Sequence, residues 1–149
     1  MLFHRFLISA AALAGLSTSL AASVPCSEAA RFGILRLSQT EVAPGESFTI
    51  TTDLTCSVQL GYTPTYLEYF IDGVSTSNIG GPIFLGRTTY DASTTPPQDQ
   101  LSLSLPVWYY DPNATYSVRV DDYFAQDGPT GESVIRVGGV STPIHIIGI

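Results

Sequence analysis

Carboxylates are the side chains of this chain best placed to act as acids or bases. Asp121, Asp122, Asp127 and Glu132 gather around the end of one strand-like segment. Cleaving a glycosidic bond needs two such groups, facing each other across a cleft at a fixed gap. Asp121 and Asp122 are adjacent, so on a strand they point to opposite faces and cannot flank one bond. Calcium could take some of these oxygens together with carbonyls of Gly128 or Gly131, but the spacing matches no EF-hand loop. The plainer reading is a set of solvated turn acids. The imidazoles are His4, near the start, and His145, between Ile144 and Ile146. A zinc site wants three or four ligands, and serine catalysis would want a Gly-x-Ser-x-Gly elbow, which is absent. No catalytic set, metal or cofactor is expected.

The aromatics are more suggestive. Alternation over 65–71 puts Leu67, Tyr69 and Ile71 on one face and Tyr66, Glu68 and Phe70 on the other. Over 101–109, Leu101, Leu103, Leu105, Val107 and Tyr109 form one face, so Trp108 and Tyr110 are expected to point away from it. Tyr66, Phe70, Trp108 and Tyr110 are therefore the candidate binding residues. Flat aromatic surfaces hold sugar rings by apolar contact, with neighbouring polar groups adding hydrogen bonds. The alternative is that Trp108 and Tyr110 fold under the adjoining loop as a small cluster of their own. Asn113-Ala114-Thr115 is an N-glycosylation sequon in a turn, usable in a eukaryotic secretory route. A glycan there would crowd a ligand near Tyr110.

These residues need strands to position them. Turn signals recur at short intervals, and no window after residue 30 carries a helical stripe. Strands are expected at 31–38, 47–56, 65–71, 83–90, 101–109, 115–124 and 133–149, the last with Gly138-Gly139 as a candidate break. Asp72-Gly73 reads as a hairpin turn, and Val42-Ala43-Pro44-Gly45-Glu46 as another turn. The fold class is all-β: an immunoglobulin-like antiparallel β-sandwich of about seven strands.

One motif carries a resemblance. Tyr110, Pro112, Asn113 and Tyr116 occupy the leucine, proline, glycine and tyrosine positions of the tyrosine corner of fibronectin type III-like sandwiches. Asn tolerates the left-handed backbone that glycine would supply. The chain departs from that family in lacking its core tryptophan in the second strand. With Pro44-Gly45-Glu46-Ser47-Phe48-Thr49-Ile50 and the N-terminal leader, the chain also resembles small secreted fungal proteins, including the cell-wall-associated Kre9/Knh1-like domains. The resemblance implies a tyrosine at position 116 that is buried and bonded to the backbone, and an extracellular setting.

The leader is residues 1–23: His4 and Arg5, an apolar run from Phe6 to Leu16, then small residues. Residues 24–149 are expected to form one sandwich domain, and the apolar run is too short for a membrane span. Cys26 and Cys56 allow one internal bridge, which in an exported chain is the expected state. Closing a loop of about thirty residues contributes roughly 3–4 kcal/mol in the entropy treatment. Lysine is absent, and without Arg5 the arginines are far outnumbered by the 13 acidic residues. Such a surface repels phosphate backbones and anionic lipid, so neither nucleic acid nor a membrane anchor is expected. The leading expectation is a secreted, non-enzymatic extracellular module that binds cell-wall polysaccharide. The alternatives are a protein-binding effector or inhibitor, whose partner is another secreted protein, and a small carboxylate-dependent glycoside hydrolase.

Overall fold

The computed structural model describes residues 25–75 and 81–149, so the expected leader lies outside the described residues. After a 3-10 turn at Glu28–Ala30, eight strands and one short α-helix follow in order: β1 (Ile34–Leu37), β2 (Glu41–Val42), β3 (Ser47–Asp53), α1 (Thr55–Gln59), β4 (Pro64–Val74), β5 (Ile83–Thr89), β6 (Gln98–Ser104), β7 (Thr115–Asp127) and β8 (Ser133–Ile146). They form a three-stranded sheet, β1-β3-β6, and a five-stranded sheet, β2-β8-β7-β4-β5. Every pairing is antiparallel except that of β2 with β8. This is the immunoglobulin-like sandwich, with the two-residue β2 added to the seven expected strands.

Alternation builds the core. Phe48, Ile50 and Thr52 of β3 are buried while their neighbours are not. They face Leu67, Tyr69 and Ile71 of β4 and Val118 and Val120 of β7. Tyr69 brings a hydroxyl into this layer and finds partners for it. It donates to Asp99 Oδ2 at 2.5 Å and lies 3.1 Å from Thr52 Oγ1, while Thr88 donates to the same Asp99 oxygen at 2.7 Å. The bonds close the side of the sandwich where β5 and β6 meet across the sheets. Burial, with Asp99 beside it, pushes the Tyr69 phenol well above its ordinary pKa.

Several sequence expectations are corrected here. The strand at 47–56 stops at Asp53, whose Oδ1 accepts from Thr55 N–H at 3.0 Å and turns the chain into α1. Five residues are too few to show helical periodicity. Cys26 and Cys56 are joined as expected, with Cα atoms 5.3 Å apart, but the bridge pins the N-terminal segment to α1 rather than to the strand. Asp72-Gly73 is no hairpin: β4 runs on to Val74. Gly73 is needed because a Cβ there would lie 2.8 Å from Cε1 of Tyr116 on the paired strand. Nor does Gly138-Gly139 break β8. The ring of Phe32 fills the space above Gly138, within 2.2 Å of where a Cβ would sit.

The most consequential correction lies at 105–110. The β6 ladder ends at Ser104, and Leu105 pairs its backbone instead with Gly45 and Glu46 (2.8 Å each). Pro106 then offers no N–H to any ladder. Without a ladder the two-residue alternation lapses. Val107 and Tyr109, expected in the core, are 80% and 76% exposed, and Tyr110, expected outside, is 3% exposed. The Tyr110 hydroxyl donates to the Pro106 carbonyl at 2.9 Å, and its ring meets Tyr116 edge-on. The Tyr116 hydroxyl accepts from Asp111 N–H at 2.7 Å and lies 3.2 Å from the Asp111 carbonyl oxygen. The corner geometry is therefore present, with Tyr116 partly rather than fully buried.

Candidate functional site

The outer face of the five-stranded sheet collects the aromatics of β4 with groups from its neighbours. Tyr66 and Phe70 share this face with Glu68 and Asp72. Register places Tyr123 beside Tyr66, Asp121 beside Glu68 and Arg119 beside Phe70 on β7. On the other side β5 sets Arg87 against Glu68 and Phe84 against Phe70. Tyr66 and Tyr123 stack with centroids 4.4 Å apart, and Phe70 and Phe84 meet edge-on at 5.6 Å. The two pairs are four residues apart along β4, about 13 Å at the usual strand rise. Phe84 is 54% exposed, while Tyr66, Phe70 and Tyr123 are half-buried.

Charge fills the space between the pairs. Arg87 lies over the Tyr66 ring at 4.6 Å and donates through Nε to Glu68 Oε1 at 3.0 Å. The Tyr123 hydroxyl donates to the other Glu68 oxygen at 2.8 Å. Arg119 lies over Phe70 at 4.7 Å, bonds Asp72 at 2.7 Å and grips both oxygens of Asp121 at 2.8 and 2.6 Å. The Arg87 guanidinium holds Glu68 below the usual carboxylate range. The bond to Glu68 pushes the Tyr123 phenol up to about 12. Partial burial lifts Asp121 above its ordinary value against the opposing pull of Arg119. The face is thus a strip of rings held by ion pairs, with the Arg87 guanidinium its most exposed charge.

Of the four candidate binding residues, the structure brings Tyr66 and Phe70 together on this strip. It leaves Trp108 and Tyr110 off this strip, at different depths of one loop. Trp108 is 69% exposed at the tip of the 105–114 loop, and Tyr110 is a core residue beneath that loop. Tyr123, Phe84, Arg87 and Arg119 were missed by sequence reasoning. Tyr123 could have been found by extending the alternation of β7 outward from Val118 and Val120. Phe84 could not, because a bulge in the β4–β5 ladder between Tyr69 and Phe70 shifts which residues of β5 face outward.

The acids at the end of β7 do not act as a set. Asp127 and Glu132 are exposed at the β7–β8 turn, as solvated turn acids should be. Asp121 joins the outer strip. Asp122, by contrast, is fully buried on the core side. Its Oδ2 lies 3.1 Å from Ser57 Oγ of α1, and its Oδ1 has no partner among the described residues. The Ser57 hydroxyl is itself 2.6 Å from the Tyr62 carbonyl, which can only accept. With the serine proton committed there, the contact to Asp122 is satisfied when the carboxyl carries its own proton. Desolvation accordingly pushes the Asp122 pKa up to about 7. His145 is exposed and sits 3.6 Å from Glu41 across the β2–β8 pair. Among the described residues, no three metal-ligating side chains come together and no helix is long and apolar enough to cross a membrane.

No protein-family model matches the chain, and no curated protein matches it. Among solved structures, the chain is similar to a superoxide reductase (neelaredoxin) from Ignicoccus hospitalis. That likeness has 11% identity and a TM-score of 0.44, and covers 76% of this chain and 78% of that one. A single-substitution variant of the same protein gives 12% identity and a TM-score of 0.46, over 79% and 82% of the two chains. Likeness at this level carries no argument about chemistry.

Proposed function

We propose that this chain is a secreted, non-enzymatic module that holds a cell-wall polysaccharide on the outer face of its five-stranded sheet. The observation that carries the reading is the alignment of two aromatic pairs, Tyr66/Tyr123 and Phe70/Phe84, on one open face with ionic and hydroxyl groups between them. Sugar rings present apolar C–H faces to such rings and hydroxyls to the groups at their edges. The strip is long enough for a short run of sugar units, and its internal ion pairs fix the rings before any ligand arrives, which lowers the ordering cost of binding. The disulfide is compatible with an oxidising compartment. The acidic surface does not oppose a neutral polymer.

A second reading is a protein-binding effector or inhibitor. It is favoured by the exposed tip Val107-Trp108-Tyr109, since apolar loop tips on a rigid sandwich are common contact points. Retention on insoluble glucan, chitin and mannan tests the two together. Polysaccharide binding predicts that the chain is retained on at least one polymer and that Phe84→Ala weakens retention while Trp108→Ala does not. Failure to be retained on any of them overturns the reading.

A further inference from the structure

The 105–114 loop exposes three consecutive apolar residues, yet it is held rigidly. Leu105 is tied to Gly45 and Glu46, Tyr110 is anchored in the core, and Tyr116 clamps both backbone groups of Asp111. The turn that follows is equally fixed: Asp111 Oδ1 accepts from Asn113 N–H at 2.9 Å, and the Asp111 carbonyl from Ala114 N–H at 3.0 Å. Asn113 and Thr115, the two ends of the chain's single sequon, are exposed. One groove is lined by Trp108, Tyr109, Asp111, Asn113 and Ala114. An exposed Trp-Tyr shelf and a glycan acceptor therefore border the same depression in a fixed relation.

We propose that Asn113 carries an N-linked glycan and that its first N-acetylglucosamine lies against Trp108 and Tyr109. The inference shares with the proposed function the expectation of secretion. In the modification, the Asn113 amide nitrogen forms a bond to the anomeric carbon of an oligosaccharide carried on a lipid diphosphate. The bond from that carbon to the diphosphate oxygen breaks, the lipid diphosphate leaves with the electron pair, and the amide gives up one proton. A sugar so attached needs no affinity of its own to reach the shelf, because the tether supplies a high effective concentration. Its apolar face then covers part of a patch that soluble chains seldom leave open. The consequence is a division of labour. The loop's aromatics serve the chain's own glycan, and the sheet face remains for an external polymer.

Trp108 is the chain's single tryptophan, so its fluorescence reads the shelf directly. The full chain is secreted from a eukaryotic host, its mass is taken, and the glycan is trimmed enzymatically to one N-acetylglucosamine. The expected result is an occupied Asn113. Trp108 emission should be blue-shifted and less open to acrylamide quenching than in Asn113→Gln, and melting on the order of 3 °C higher. In a Tyr109→Ala background the melting increment should shrink. An unoccupied Asn113, or an occupied one with Trp108 emission and melting identical to Asn113→Gln, overturns the proposal. Retention on wall polymers reads the sheet face and not this shelf, so loss of one result leaves the other standing.

Discussion

The two faces of the five-stranded sheet treat the same chemistry in opposite ways, and Asp121 and Asp122 show how. They are adjacent on β7. Asp121, on the outer face, is gripped through both oxygens by Arg119 and keeps an edge toward solvent. Asp122, on the inner face, is sealed under α1 with a serine hydroxyl for one oxygen and, among the described residues, no partner for the other. The outer face spends its charges on fixing aromatic rings in place. The inner face carries a fully buried carboxyl whose proton burial holds more tightly than usual. A face organised by ion pairs and left partly exposed is where the proposed ligand would meet the chain. A buried acid without a counter-ion influences stability alone. Substitutions on the inner face should therefore move stability without touching binding, and those on the outer face should do the reverse.

The largest effect is expected at Asp122. Its folded-state pKa, about 7, lies well above the ordinary carboxylate value. When the folded form holds a proton that the unfolded form has released, stability falls as pH rises. This contribution is fully present below about pH 4 and is lost as pH climbs through about 7, for a total of roughly 2–4 kcal/mol. Asp122→Asn keeps the shape and removes the titration. Its denaturation midpoint should change less between pH 5 and pH 8 than that of the parent chain, and at pH 8 it should be the more stable protein. Polymer retention should be unchanged. Parallel pH profiles for the two proteins would mean that Asp122 finds a partner when ionised, and the contrast between the faces would weaken.

Tyr116→Phe comes next. The hydroxyl accepts from the Asp111 amide, and its removal takes that bond away at the mouth of the loop. The expected cost is about 1–2 kcal/mol, read as a lower denaturation midpoint. Because the bond lies at the end of the sandwich, the outer strip should keep its binding. A full loss of stability with no folded protein would place the corner at the centre of folding rather than at its edge.

How much of this was legible in the sequence follows from where the ladders run. Alternation places the inner and outer residues of β4 correctly because β4 is paired on both sides from Tyr66 to Ile71. The same rule fails after Ser104, where Leu105 leaves β6 for the Gly45 turn and Pro106 prevents a return. That is why Trp108 and Tyr110 do not share a face. The disulfide follows from the cysteine count and an expected compartment. The helix that receives it does not, since five residues carry no period. Gly73 and Gly138 read as breaks, yet each is a strand residue with an aromatic ring from elsewhere against it, and sequence spacing does not show which ring. The ion pairs of the strip depend on cross-strand register, and a single bulge in β5 decides which residues join it.

The smallest change in stability is expected from Phe84→Ala, and it bears most directly on function. Phe84 is the most exposed aromatic of the strip and touches Phe70 by its edge, so truncation leaves the core and the Arg119–Asp72 pair intact. Exposed substitutions of this kind usually stay within about 0.5 kcal/mol. Trp108→Ala, at an exposed site on the loop, should cost as little in the unglycosylated chain. The pair forms a matched comparison: two large exposed aromatics, similar stability costs, one on the strip and one off it. Retention on the polymer that holds the parent chain should fall for Phe84→Ala and stay level for Trp108→Ala, with thermal melts confirming that both are folded. The opposite pattern would move the contact from the sheet face to the loop and favour a protein partner. Equal losses would make the two regions parts of one continuous surface and end the distinction between them.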